Sequence, residues 1–207
     1  MPGAGWAAVS AHVDVVACVD LPALGLQLLC RREPGWRTLP AARVAEDRPE
    51  GKVLEVNAAA RTLGVLAGMR YAAALSLAPT LRAAVVTEGE VGAAVDTLRA
   101  RLRRFSPRVE ANADEPGVFW LDASGLDHLW SSAAAWARAL RADLDTEGWV
   151  AVVAVAPSRF GAYALARGAA RARGGVFVVD DAAAERSCLE AVALDRLQLL
   201  PKVRDAL

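Results

Sequence analysis

Cysteine and histidine are scarce in this chain, and their placement excludes several kinds of chemistry. The three cysteines, Cys18, Cys30 and Cys188, stand far apart and form no Cys-x-x-Cys pair. That spacing supports neither a zinc site nor a disulfide framework, and reduced, mostly buried thiols are expected. The two histidines, His12 and His128, have no Cys companions and so offer no metal-ligand set. An excess of one charge is also missing, since 24 Lys and Arg balance 24 Asp and Glu. Any nucleic-acid surface must therefore be local. The opening stretch, MPGAGWAAVSAHVDV, has no basic n-region and no apolar core long enough for a signal peptide. Apolar runs such as 149–157 fall far short of the roughly 20 residues that cross a bilayer. The expectation is a cytoplasmic protein with no membrane partner and no cofactor.

What is present is a large apolar fraction, 55% of 207 residues, with a mean hydropathy of +0.25. A chain of this size and composition can bury a sizeable core in one domain or two small ones. The β-branched run at 13–21 reads as a buried central strand that Pro22 ends, followed by a short helix over 23–32. Residues 42–46 and 52–56 read as a hairpin around Pro49-Glu50-Gly51. Asn57 is a good N-cap for a helix over 58–63, which Gly64 closes. A helix over 71–77 and a strand over 81–87 come next. An amphipathic helix over 91–105 ends in Arg99, Arg101, Arg103 and Arg104. Two strands around the turn Glu115-Pro116-Gly117 precede a long helix over 126–147, a strand over 149–155 and a helix over 158–173. A strand over 176–179 then leads into a final helix opened by Asp180-Asp181.

The order strand–helix–strand–strand–helix–strand is that of a ferredoxin-like α+β unit, with 24–84 inserted after its first strand. The chain is expected to stop inside the first turns of a new helical unit, as an engineered truncation would.

Four stretches carry a resemblance to the Y-family (translesion) DNA polymerases, and together they span nearly the whole chain. The first is Val16-Ala17-Cys18-Val19-Asp20-Leu21, which resembles the family's opening strand; Asp20 falls on the aspartate that binds both metals there. Pro22 and Gly25 stand where that family often has a second acid and an aromatic steric gate. The second, 56–65 (VNAAARTLGV), is similar to the fingers helix that contacts the incoming triphosphate. Arg61 matches its arginine, and Ala58 replaces its tyrosine.

The third stretch, 105–110, resembles the helix exit into the palm strand. Beyond it, Gly117 and Val118 hold the positions of an adjacent Asp-Glu pair, just before the triplet Trp120-Leu121-Asp122. Fourth, 153–167 resembles the region of a Gly-Ile-Ser-x-Asn-Lys motif; Ser158 holds the lysine position and Arg159 is a neighbouring cation that could partly substitute.

Two-metal phosphoryl transfer needs several carboxylates to hold two cations against their mutual repulsion, and Gly117 and Val118 supply none. Asp114-Glu115, offset by three residues, falls at a turn and is expected to be a solvated hairpin tip. The pattern resembles the non-catalytic ImuB type of the family. The resemblance implies a palm over 1–23 and 85–165, fingers over 24–84 and the start of a thumb over 166–207. It also implies a scaffold role in DNA-damage tolerance, bridging a DnaE-type polymerase, the sliding clamp and an ImuA-type RecA-related protein, mostly through regions beyond this chain.

Arg99, Arg101, Arg103, Arg104 and Trp36 are candidate contacts to primer–template DNA or a partner, set against plain solvent exposure for the arginines. Asp122 is expected to order the turn that follows it. Two other readings stay open: a divergent active translesion polymerase that recruits Asp114 or Glu115, and a protein–protein module without DNA contact.

Overall fold

The computed structural model describes residues 15–126, 129–168, 175–193 and 197. His12, His128, Trp6 and much of the expected thumb region lie outside the described residues. The backbone is mixed α/β, with a five-stranded and a three-stranded sheet.

The larger sheet is built on β1 (Val16–Asp20), flanked antiparallel by β6 (Val118–Asp122) and β7 (Val152–Ala156). Outside them lie β5 (Val109–Ala111), antiparallel to β6, and β8 (Gly175–Val178), parallel to β7. The resulting order, β5-β6-β1-β7-β8, is the ferredoxin-like arrangement with one added edge strand.

The three central strands are almost uniformly apolar because both faces of the sheet are covered. One face carries Ala17, Val19, Phe119, Leu121, Val153 and Val155 into the main core. That core is closed by α1 (Leu24–Arg32), α4 (Glu88–Leu102) and α5 (Ala133–Thr146), with Trp136 fully buried at its centre. The other face carries Cys18, Val118, Trp120, Val152 and Ala154 beneath α6 (Arg159–Gly168). The helix lies close to the strands because its inward residues include Ala162, Ala164 and Ala166. α7 (Ala182–Leu189), capped by Asp181, packs on α6.

The smaller sheet joins β2 (Ala41–Val44) to β3 (Val53–Val56) antiparallel and to β4 (Arg82–Val85) parallel, around its own core of Val44, Val53, Val56 and Val65. α2 (Ala58–Thr62) and α3 (Tyr71–Leu77) cover it. Asn57 pins this unit: its Oδ1 accepts from Ala60 N (2.9 Å) and Ala41 N (3.1 Å). Its Nδ2 donates to the carbonyls of Leu39 (2.6 Å) and Trp36 (3.2 Å).

Several boundaries differ from the sequence reading. The helix expected over 126–147 begins only at Ala133, because the Ser132 hydroxyl accepts from Ala135 N and fixes the start. The helix expected over 91–105 begins at Glu88, where Thr87 and Glu90 form a reciprocal capping box. A 3-10 turn at Pro34–Arg37 follows α1 directly. Trp36 sits within that turn and is half-buried against the main core, not projected as a free contact.

Candidate functional site

A cleft of about 690 Å³ opens between the end of β1, the turn before β6, and α2 of the smaller sheet. Asp20, Glu115, Arg167, Arg61, Ala58 and Arg37 are among its lining residues. The strand register explains how Asp20 comes to lie there. As the last residue of β1 it sits between Val118 and Val152, with its side chain on the α6 side and only 3% of its surface exposed.

The turn 115–117 controls what can stand beside it. Gly117 has φ +102°, and its carbonyl accepts from Leu21 N at 2.8 Å. A Cβ at this position would lie 2.6 Å from the Leu21 carbonyl oxygen and 3.3 Å from Leu24 Cβ. The local backbone is therefore shaped for glycine, and no side chain fits at this place. Val118 contributes a methyl-bearing side chain to the apolar layer under α6.

The carboxylate that does reach the site is Glu115. Asp114 is exposed at the hairpin tip, as expected, but Glu115 folds inward, with 11% of its side chain exposed. Its Oε1 accepts from the Tyr163 hydroxyl at 2.8 Å, and its Oε2 is paired with an Nη of Arg167. The same guanidinium presents Nε to Asp20 Oδ2 at 3.6 Å. Arg167 is 7% exposed. Burial opposes its charge, yet Asp20 and then Glu115 hold its pKa above the ordinary value. Cys18, one strand position-pair further in, has its thiol pushed well up by burial and then by the Asp20 charge. It is a packed, protonated thiol.

Other expected site residues are spent on architecture. Ser158 N donates to Glu185 Oε2 at 3.0 Å, and the Ser158 hydroxyl bonds the other oxygen of that carboxylate. The same hydroxyl accepts from Gly161 N (2.9 Å), so Ser158 starts α6. Arg159 makes a two-pronged pair with Glu110 (2.6 and 2.9 Å) and lies 4.4 Å above the Trp120 ring. Neither faces the cleft. At Gly25 the room an aromatic ring would need is filled by Arg43, whose Cδ would lie 2.6 Å from an added Cβ. Arg43 is fixed there by the Val86 carbonyl (3.1 Å) and by Glu55 (3.4 Å).

The arginine cluster divides along its helix. Arg101 grips Asp143 through Nε (2.5 Å) and Nη2 (2.9 Å), and Glu147 through Nη1 (3.0 Å). Arg104 also reaches Asp143 (3.3 Å), and Arg99 pairs with Asp96 (2.8 Å). Arg101 thus joins α4 to α5 instead of pointing to water. Arg103 and Arg61 are exposed. Asp122 accepts from Ser124 N at 3.0 Å and orders its turn.

Residues that the sequence reading did not single out, Arg167, Tyr163 and Arg43, are central here. One signal was available: Tyr163 and Arg167 are four apart, on one face of a helix otherwise made largely of small residues.

The backbone matches solved Y-family polymerases. An insertion ternary complex of Dbh DNA polymerase superposes with a TM-score of 0.74 over 91% of this chain and 55% of that one, at 21% identity. DinB from Sulfolobus solfataricus gives 0.66 over 79% and 48%, also at 21% identity. The fold is that of the palm and fingers of such enzymes. The impB/mucB/samB family pattern covers residues 19–167, and the chain belongs to that family. It is also 38% identical over 105 residues to the protein ImuB of two strains of Caulobacter vibrioides. That match covers 51% of this chain and 22% of the relative. The chain thus spans about a fifth of the length of these curated relatives in the matched region.

The fold family implies divalent cations at the end of β1, held by several carboxylates. The residues present do not fit such a pair: Asp20 and Glu115 both face a guanidinium, and Gly117 and Val118 carry no side-chain oxygen.

Proposed function

We propose that this chain is the palm and fingers portion of a non-catalytic Y-family accessory protein that acts in DNA-damage tolerance and induced mutagenesis. The palm comprises 1–23 and 85–178, since α6 covers the larger sheet and β8 extends it, the fingers comprise 24–84, and the thumb expected from 166 starts after β8. The observation that carries the reading is the seating of Arg167 between Asp20 and Glu115, at the place where catalysis would require cations. Likeness to ImuB supports it from the side of sequence. In this reading the retained shape grips primer–template DNA loosely. It also presents surfaces to a DnaE-type polymerase, the sliding clamp and an ImuA-type RecA-related protein, with most partner contacts made by regions outside this chain.

The deciding experiment is primer extension by the full-length protein in Mg²⁺ and then in Mn²⁺, beside an Asp20→Ala variant. No nucleotide addition under either metal is the expected result. Incorporation that disappears with Asp20→Ala would overturn the reading. One observation favours a second one: Glu115 and Asp20 share one guanidinium, which brings into one site the two acids that a divergent active polymerase would recruit. The guanidinium between the two carboxylates weighs against it.

A further inference from the structure

We propose that Arg167 is a resident cation of the palm, one that stands in for divalent metal, keeps the acidic centre closed to Mg²⁺ and Mn²⁺, and masks a cation site on Asp20 and Glu115. Three observations converge on it. Arg167 is nine-tenths buried, yet among the described residues its Nε finds no hydrogen-bond partner and is directed at Asp20 from 3.6 Å. An arginine recruited only for architecture would saturate its fork, as Arg101 does with Asp143 and Glu147. Here the geometry is set by charge, with one guanidinium placed between two carboxylates, one at the end of β1 and one in the turn before β6.

The surroundings are also arranged for a cation. Tyr163 turns its ring to the guanidinium, 5.6 Å away, and spends its hydroxyl on Glu115, which orients that carboxylate toward Arg167. Finally, the cluster lines the cleft, so solvent ions have access to it and meet a fixed positive charge on arrival.

The two carboxylates need a counter-charge because leaving two negative groups together in a half-dry site is costly. Arginine is suited to the position because it stays charged on burial and reaches two acceptors from one rigid plane. One guanidinium supplies a single positive charge against two negative ones. Its removal therefore takes that positive charge away from two carboxylates and leaves oxygen ligands of the kind a hard divalent ion prefers.

This inference adds to the accessory reading and rests on it only in giving the palm no metal-dependent reaction. The test is Mn²⁺ titration of the full-length protein, followed by electron paramagnetic resonance of the free ion and by thermal melting. The three samples are wild type, Arg167→Met, and Arg167→Met with Asp20→Asn. Methionine keeps much of the side-chain volume.

Wild type is expected to take up no Mn²⁺ at this site and to melt at the same temperature with or without about 1 mM Mn²⁺. Arg167→Met is expected to bind one ion roughly tenfold or more tightly than wild type and to be stabilised by it, with both effects lost in the double variant. Wild-type Mn²⁺ binding that Asp20→Asn removes would overturn the proposal. A folded Arg167→Met that binds no better than wild type would do the same.

If Arg167→Met unfolds, Mn²⁺ should refold it. Failure to do so, while Arg167→Met/Asp20→Asn/Glu115→Gln folds, also refutes the idea. Wild-type metal binding without primer extension would end this proposal and leave the accessory reading standing.

Discussion

Placing an acid at residue 117 is the obvious way to test for a polymerase site, and the backbone predicts that it fails through the fold before chemistry is reached. The cleanest perturbation is the smallest one, Gly117→Ala. Its φ of +102° is a conformation that L-residues rarely adopt, and the added methyl would stand 2.6 Å from the Leu21 carbonyl oxygen. Holding a non-glycine residue there costs of order 1–3 kcal/mol. Moving the β1 end away from the methyl costs about 1–3 kcal/mol more, as in other overpacked sites. The Leu21 N–H bond to the Gly117 carbonyl is part of the same contact, so relief by backbone shift also weakens that bond.

A total loss of about 2–6 kcal/mol lowers the melting temperature of a chain this long by roughly 4–24 °C. Circular dichroism melts, with urea titration for the free energy, measure it directly. Gly117→Asp should be at least as severe. If Gly117→Ala melts within about 2 °C of wild type, the positive-φ turn described above does not hold.

Further expectations follow from other parts of the molecule. Asn57→Ala removes an N-cap and three other hydrogen bonds that tie the smaller sheet together, and should cost about 2–4 kcal/mol in urea denaturation. Arg101→Ala breaks a partly buried two-carboxylate grip between α4 and α5 and should cost about 1–2 kcal/mol, whereas Arg99→Ala, with an exposed partner, should fall within about 0.5 kcal/mol of wild type.

The Glu110 carboxyl is held below its ordinary value of 4.5 by its hydrogen bonds from Arg159, and Glu90 below the same value by the Thr87 backbone N–H. Because these pKa values are depressed in the folded state, their contribution is fully present above 4.5 and is lost as pH falls through the lower folded values. Melting temperature measured down the acid limb should fall more gently in Arg159→Ala than in wild type.

The strand order was legible because both faces of the larger sheet are covered, so β1, β6 and β7 read as continuous apolar runs bounded by turn residues. The Asn57 cap and the Asp122 turn were legible for a similar reason, since each acts on backbone within a few residues. The start of α5 was not: the stretch before Ser132 has residues that suit a helix, and only the serine cap decides where it begins. At the site, the absence of a side-chain carboxylate on Gly117 and Val118 is plain in the sequence, whereas the pairing of Arg167 with Asp20 and Glu115 is not. Arg167 reads in sequence as an ordinary basic residue in a helix's last turn. Its burial depends on α6 crossing the end of β1, a long-range fact. Glu115 has the sequence look of a solvated turn residue, and only the fold of the turn sends its side chain inward. Trp36 and Arg101 were misread for the same reason, since a polar local sequence says nothing about a partner more than twenty residues away.

The central position of β1 bears on the order in which the protein takes shape as it is made. The strand leaves the ribosome well before its two neighbours, residues 118–122 and 152–156. At typical elongation rates of about 5–20 residues per second, this apolar segment waits roughly 7–30 s for its second neighbour. The three-stranded sheet, whose strands all fall between Ala41 and Val85, can close in the meantime. The nascent chain thus carries a finished three-stranded sheet beside an unpaired, sticky strand, and it is during this interval that chaperones would have their work.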